Sequence, residues 1–456
     1  MKNERNAVIP TLGLACTARP TFAVEAAQEA AKNALEQLQA LGWPIIGNDD
    51  LLMDAPSARN AAQTLRQQEP DVLIILCATF SDASVAVELA EQVDVPVCLW
   101  ALREPGPVGE RLWFNSLCGA NIASQALHKT GHDVQYIYGN PGEANLLNPL
   151  MAFARAAATR NRLRRSRVGL VGQAPTGFYG CQFDELELSK VIGTSVTQID
   201  LESVFAKARD ASPVAVEAVI ASTAQRSPSL LTLNETHGGE VHRFGEAYVV
   251  LRNALRDMEL DGLAVRCWPE FPQNFGLMPC ATLGRLADDG FVCACEADMN
   301  GAVTLLLLQW LSGAAPLLAD LVAIDEQKNT VSVWHCGNAP ACLARDDQEP
   351  TLTVHCNRRI GVAGNFALRS GPATLARLGT GPHGYRLLFC NGTILDEPDN
   401  RFMGNTGVFR PEQSAQHLLD TIMRDGWEHH VAVVAGHIAQ ELAALAQLLH
   451  IEVVAL

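Results

Sequence analysis

The first 165 residues alternate short apolar runs with longer amphipathic stretches. Residues 7–14, 71–77 and 134–138 are short, apolar and partly β-branched, which is typical of buried strands. Residues 22–41 are rich in Ala and Glu and predict a helix that ends at Gly42. Strands that alternate with helices predict a parallel, doubly wound sheet.

The alternation resumes at Arg167, and it changes character near Asn329. Strands are predicted at 168–172, 196–199 and 263–267, and a helix is predicted at 184–192. The last third contains short β-like runs, such as 351–354, separated by Gly, Pro and Asn, which favours an antiparallel sheet or barrel. The predicted fold class is therefore α/β. It has two doubly wound parallel-sheet domains, residues 1–166 and 167–312, followed by a β-rich C-terminal domain, residues 313–456.

The longest apolar stretch, residues 302–324, does not resemble a membrane span. It is interrupted by Gln309, Ser312, Pro316 and Asp320, so it predicts a buried helix followed by a strand. No apolar segment typical of an export signal follows the charged start of the chain, and the 13 cysteines are an odd, scattered set. We therefore expect a cytoplasmic protein with reduced cysteines.

Composition narrows the classes of partner. The 456 residues contain 34 Lys and Arg against 50 Asp and Glu, a net charge of −16. This balance argues against nucleic-acid or anionic-membrane partners, because no general basic surface is available. The phosphate-binding and hydrolase motifs are not supported either. Residues 172–177 have Walker-type glycine spacing but lack the Lys-Ser/Thr that should follow.

Acidic and imidazole side chains stand at the ends of several apolar runs. Glu296 and Asp298 directly follow the run 291–295, Asp320 lies beside another run, and His335 ends a third. Carboxylate and imidazole together suit a divalent metal ion. The alternative is ordinary: acidic residues after strands often serve as turn or N-cap residues, and a lone His is often structural. Spacing alone leaves both interpretations open.

Five short motifs resemble the L-fucose and L-arabinose isomerase family. They are Cys267-Trp-Pro-Glu-Phe271, Cys295-Glu-Ala-Asp-Met-Asn-Gly301, Ala319-Asp320, Trp334-His-Cys-Gly337 and Gly426-Trp-Glu-His-His430. The resemblance implies a manganese-type ion, Mn²⁺ or another divalent metal, held by Glu296, Asp320 and His430. It also offers His335 as a fourth ligand or as a residue that supports one. Its domain plan agrees with the one predicted above, usually assembled as a trimer or hexamer.

The family's chemistry is the interconversion of an aldose and a ketose through a cis-enediol. Glu296 and Asp320 are then expected to act as acid/base groups as well as ligands, since a proton must move between C1 and C2. The residues expected to contact substrate are Trp268, Glu270, Asp298 and Asn300.

The substrate class stays open among a deoxy sugar, a pentose and an acidic hexose such as a sulfonated sugar. An acidic sugar would need a nearby cation, for which Arg266, Arg285, Arg358 and Arg359 are available. Two other functions also remain open. One is a non-catalytic sugar-binding protein, since fold alone does not imply function. The other is a metal-dependent lyase or aldolase that uses the same enediolate chemistry.

Overall fold

A computed structural model describes residues 7–105, 111–397 and 401–456. The chain divides into two compact units. One is Val8–Asn161, and the other is Arg162–Leu456 together with Ala7. The second unit contains both a parallel sheet and a barrel and is not divided further. The predicted domain boundary between residues 312 and 313 therefore stays a prediction.

The first unit is a five-stranded parallel sheet of order β2-β1-β3-β4-β5. Its strands are β1 (Leu12–Thr17), β2 (Ile45–Leu52), β3 (Val72–Cys77), β4 (Val97–Ala101) and β5 (Val134–Tyr138). Its helices are α1 (Val24–Gln39), α2 (Ala55–Gln67), α3 (Ala83–Val93), α4 (Ser116–Lys129) and α5 (Asn148–Leu163), the last extending past the unit boundary. This strand order is a doubly wound topology.

Strand β1 begins at Leu12, later than the predicted residue 7. Because β1 lies between β2 and β3, each of its amides faces a neighbouring strand, and Pro10 has no N–H to donate. Every residue of β1 and β3 is buried. Their apolar side chains form a core with the inner faces of the helices, which accounts for the near-continuous hydrophobic runs in the sequence.

The second unit opens with a four-stranded parallel sheet of order β7-β6-β8-β9. Its strands are β6 (Arg167–Val171), β7 (Ser195–Ile199), β8 (Gly262–Val265) and β9 (Val292–Ala294). Its helices are α6 (Glu185–Glu187), α7 (Leu201–Arg209), α8 (Pro213–Ala224), α9 (Ser229–Asp257), α10 (Cys280–Asp288) and α11 (Met299–Ser312). The predicted helix at 184–192 is only one turn of α-helix followed by a π-helical turn.

The last third forms a nine-stranded sheet in which six strands close into a barrel. Its strands are β10 (Leu317–Asp325), β11 (Thr330–His335), β12 (Thr351–Val354), β13 (Gly361–Ala367), β14 (Gly371–Gly381), β15 (Gly384–Ile394), β16 (Asn405–Pro411), β17 (His430–Ala435) and β18 (Glu452–Ala455). The barrel runs β16-β11-β10-β17-β14-β15, and β15 pairs again with β16 to close it. Helices α12 (Ala415–Arg424) and α13 (Ala439–Leu449) accompany these strands.

The predicted fold class is confirmed: two parallel-sheet α/β parts precede an antiparallel barrel. Helix α11 connects the last two parts, and its residues from Met299 to Leu311 are all buried. It packs against β8 and β9 on one side and against β14 and β17 on the other. The run 302–324 is thus a buried helix followed by a strand, and no helix among the described residues is long and apolar enough to cross a membrane.

Candidate active site

The turn between β9 and α11 presents Glu296. Both Glu296 and Ala297 have left-handed backbone conformations, with φ of +58° and +55°. Each such residue costs about 1–2 kcal/mol when it is not glycine. Asp298 ends the turn, because its Oδ1 accepts a 2.8 Å hydrogen bond from the Gly301 amide and caps α11. The strained turn is therefore anchored by the helix cap that follows it.

Two strands of the barrel supply Asp320 and His430. These residues are register partners on the antiparallel strands β10 and β17. The side chains of directly opposed residues point to the same face of a sheet, so the backbone pairing alone brings Asp320 and His430 together. In the structure, His430 Nε2 lies 3.8 Å from Asp320 Oδ1.

Glu296, Asp320 and His430 converge on one point. His430 Nε2 is also 3.7 Å from Glu296 Oε2. One carboxylate therefore approaches this nitrogen from the turn before α11, and the other approaches it from the barrel strand β10. Asp320 Oδ1 is buried and has no hydrogen-bond partner. A buried carboxylate oxygen without a partner is costly unless something else binds it, and a cation is the natural candidate.

A buried network fixes the orientation of His430. The ring donates from Nδ1 to Asp298 Oδ2 at 2.9 Å, since a carboxylate only accepts. The neutral ring then has its proton on Nδ1 and its free lone pair on Nε2, as a metal ligand requires. Arg377 holds the other side of Asp298 with hydrogen bonds of 2.6 and 3.1 Å. Burial raises the pKa of Asp298, but Arg377 and His430 outweigh it and bring the pKa well below the usual range.

Close packing around this network explains Gly301. A Cβ atom at this position would lie 2.5 Å from Asp298 Oδ2 and 3.1 Å from Arg377 Nη1. Any side chain would therefore collide with the carboxylate that holds His430. The first and last residues of the Asp-Met-Asn-Gly part of the motif are thus explained. Asp298 caps α11 and forms the buried ion pair, and Gly301 leaves the space that this carboxylate needs.

Aromatic side chains form one wall of the site around Glu296. Trp268 donates from Nε1 to Glu296 Oε1 at 3.1 Å, and His429 donates from Nε2 to Glu296 Oε2 at 3.1 Å. Phe178 contacts both rings edge-on, with centroid distances of 5.1 and 5.8 Å. Burial raises the pKa of Glu296, but the hydrogen bonds from His429 and Trp268 bring it below its ordinary value.

The donor set fits a divalent metal ion. Ligand atoms of Glu296, His429, His430 and Cys181 all lie within 4.8 Å of one another, and Asp320 approaches His430 from the barrel side. Carboxylate oxygens and imidazole nitrogens are common ligands of divalent metal ions in proteins. Burial raises the pKa of the Cys181 thiol, and the nearby Asp298 and Glu296 raise it further. The Cys181 thiol lies 4.0 Å from Glu296 Oε2.

His335 lies at the end of β11, buried, with its ring centroid 5.7 Å from that of His430. Its Nδ1 accepts a 2.9 Å hydrogen bond from the Cys336 amide. The proton of the neutral ring must then be on Nε2. In this tautomer Nε2 is a hydrogen-bond donor, and the assignment of His335 as a metal ligand stays a prediction.

The other predicted substrate residues occupy different environments. Glu270 forms a 2.5 Å ion pair with Arg266 in the loop after β8, close to Trp268 in sequence. Asp298 is enclosed between Arg377 and His430, as described above. Asn300 is buried in the first turn of α11, where its Oδ1 accepts a 3.2 Å hydrogen bond from the Tyr385 hydroxyl. Two members of this predicted group directly contact a predicted ligand: Trp268 contacts Glu296, and Asp298 contacts His430.

Sequence reasoning did not identify Phe178, Arg377 or His429 as site residues. His429 stood beside the predicted ligand His430, so the pair was a usable signal. Phe178 ends the loop after β6, and the place of this loop beyond the carboxyl end of a parallel strand was also a usable signal. Arg377 is on a barrel strand among buried apolar residues and has almost no exposed surface. A charge at a core position of a strand is the pattern that would have revealed it.

Cysteines crowd the strand ends beside the site. Cys267 Sγ lies 2.7 Å from Cys295 Sγ, and Cys280 Sγ lies 3.5 Å from Cys336 Sγ. None of these four thiols is in a disulfide. Cys267 directly precedes Trp268 in the chain, and Cys295 directly precedes Glu296.

Comparison with known proteins agrees with this architecture. Residues 13–164 match the family model for the fucose/sulfoquinovose isomerase N-terminal domain, and residues 333–456 match the L-fucose isomerase C-terminal domain. A sulfoquinovose isomerase of Alkalicoccus urumqiensis is 34% identical over 404 residues, which is 88% of this chain and 90% of that protein. A sulfoquinovose isomerase of Priestia aryabhattai is 32% identical over 435 residues, 95% of this chain and 96% of that protein.

The resemblance predicted from the five motifs is therefore confirmed, and the matches extend to the first 165 residues, which the motifs did not reach. The chain belongs to the fucose/sulfoquinovose isomerase family of aldose–ketose isomerases.

Proposed function

We propose that this protein is a metal-dependent isomerase that interconverts a sulfonated hexose of the sulfoquinovose type and its ketose. The observation that carries the metal-dependent part is the convergence of Glu296 Oε2 and Asp320 Oδ1 on His430 Nε2, at 3.7 and 3.8 Å. The sulfonated substrate is supported by the relatives named sulfoquinovose isomerase, which align along nearly their whole length.

Glu296, Asp320 and His430 would hold the ion, for which Mn²⁺ is our proposal. When bound, such an ion would polarise the carbonyl and hold the two adjacent substrate oxygens. Glu296 and Asp320 are the groups that we propose remove the proton from one carbon and return it to the other. If Asp320 binds the ion through Oδ1, its other carboxylate oxygen would be the one that accepts a proton.

The surrounding residues would position these groups. His429 and Trp268 each hold one oxygen of Glu296, which limits rotation of the carboxylate. Asp298 and Arg377 keep the His430 ring in the tautomer that offers Nε2. Because His335 Nδ1 accepts from the Cys336 amide, the proton is on Nε2, and this nitrogen would donate a hydrogen bond to a substrate oxygen. Trp268 and Phe178 would shield one face of the sugar from water.

Removing the metal is expected to abolish turnover. Dialysis against a chelator should lower isomerisation of sulfoquinovose to background, and Mn²⁺ should restore it. Since the ion would bind only the folded chain, a concentration 100 times its Kd should also stabilise the protein by about 2.7 kcal/mol. A panel of aldoses and ketoses, neutral and acidic, would identify the substrate, and a melting curve would report the stability.

The outcomes separate the competing functions. Full turnover by protein that elemental analysis shows to be metal-free would contradict the metal-dependent mechanism. Tight Mn²⁺ binding without isomerisation of any sugar, but with cleavage of a carbon chain, would favour the lyase or aldolase. Sugar binding without any conversion would favour a binding protein. We further propose a cytoplasmic trimer or hexamer, which light scattering after size-exclusion chromatography would test.

A further inference from the structure

An acidic sugar needs a cation near the site, and the structure distinguishes the four arginines that the sequence offered. Arg266 is paired with Glu270 at 2.5 Å and donates to two backbone carbonyls. Arg285 forms an ion pair with Asp289 within α10 and the turn that follows it. The guanidinium groups of both residues are therefore already bound to a carboxylate.

Arg358 and Arg359 lie in the loop between β12 and β13, and they differ in position. Arg359 contacts the sulfur of Met403, at 3.9 Å. The guanidinium carbon of Arg358 lies 5.2 Å from the centre of the Trp268 ring. The Trp268 ring that Arg358 contacts is the same ring that donates a hydrogen bond to the predicted ligand Glu296.

The charge of Arg358 is not neutralised within the described part of the chain. The side chain is exposed, and no described carboxylate forms an ion pair with it. Stacking on an aromatic face restrains a guanidinium while leaving its five N–H donors free. Arg358 therefore offers an oriented cation, with unused donors, at the edge of the aromatic wall.

The charge of the site makes such a cation necessary. A divalent ion would balance Glu296 and Asp320, and Arg377 already balances Asp298. No positive charge in this set is left over for an anionic group on the substrate. A sulfonate has three acceptor oxygens and, like a carboxylate or phosphate, it matches the paired donors of a guanidinium.

We propose that Arg358 forms the sulfonate-binding subsite, and this inference rests on the proposed function. The sulfonate is at the opposite end of the hexose from C1 and C2. Binding it on Arg358, beside Trp268, would leave C1 and C2 to face Glu296 and Asp320. Arg358 is then the residue that distinguishes a sulfonated hexose from a neutral one.

The test compares sulfoquinovose with 6-deoxyglucose, which lacks only the sulfonate. In Mn²⁺-loaded protein, Arg358→Gln is expected to lower kcat/KM for sulfoquinovose about 10- to 100-fold, the usual value of a hydrogen bond to a charged group. Most of the change should appear in KM. For 6-deoxyglucose, kcat/KM should stay within about twofold. Arg359→Gln is the matched control and should change neither value.

Calorimetric binding of sulfoquinovose to the Mn²⁺-loaded wild type and Arg358→Gln variant makes the test independent of turnover. The wild type could bind sulfoquinovose without converting it, while the Arg358→Gln variant binds it more weakly. This result would support the subsite and refute the proposed function. An equal loss for both sugars would overturn the inference, because it would show that Arg358 acts only through Trp268 and Glu296. Unchanged binding and kinetics for sulfoquinovose in Arg358→Gln would place the subsite elsewhere.

Discussion

Glu296→Gln is expected to reduce kcat/KM for the sugar by about 10²–10⁴-fold, the range associated with loss of an acid/base group. The amide keeps an oxygen that can accept from Trp268, but it loses the charge that a metal ion and a transferred proton both require. Asp320→Asn should have a similar effect. Steady-state kinetics at saturating Mn²⁺, with melting curves to establish that both variants fold, would measure the loss.

Matched controls are available on exposed positions. Glu326→Gln makes the same chemical change in the turn after β10, and Asp325→Asn does so at the exposed end of β10 itself. Both should retain wild-type kinetics. If Glu296→Gln and Asp320→Asn both keep near-normal isomerisation, their assignment as ligand and acid/base is wrong.

The largest effect on stability is expected from Arg377→Met. Arg377 and Asp298 are each about 1% exposed and form a bidentate ion pair. Removing one partner of a buried pair leaves an uncompensated charge, which typically costs about 3–5 kcal/mol. Denaturant unfolding of the apo protein would measure the loss. Turnover should fall as well, because Asp298 would no longer be held against His430.

A double variant tests the cause of this loss. Asp298→Asn removes the buried charge while keeping a side chain that can cap α11, since Asn is a favourable N-cap residue. When it is combined with Arg377→Met, much of the lost stability should return, although activity should not. If the double variant is as unstable as Arg377→Met alone, the loss comes from packing and not from the unpaired charge.

The sequence predicted the fold well where periodicity was strong. Val134–Tyr138 and Thr351–Val354 agree with the predicted strands residue for residue. Prediction failed where another constraint decided the structure. Pro10 excludes the start of the first apolar run from a central strand. The π-helical turn at Leu188–Ile192 follows the apolar pattern of an α-helix but has a different hydrogen-bond spacing.

The candidate site was predictable where it depended on short motifs and not where it depended on tertiary contacts. Glu296, Asp320 and His430 came from recognisable motifs, and the structure brings them together. The bond from Asp298 to Arg377 spans 79 positions, and no local pattern encodes it. Among four arginines of the same type, only the spatial relation to Trp268 singles out Arg358.

The order of the barrel strands along the chain has a consequence for synthesis. Five of the six barrel strands precede β17, and β17 fills the gap between β10 and β14. It also contributes His430. While the chain is being made, Glu296 and Asp320 therefore emerge long before the ring that completes their site. Under the proposed function, a nascent chain would not acquire the ion before β17 emerges, so metal loading and barrel closure would occur in the same late folding step.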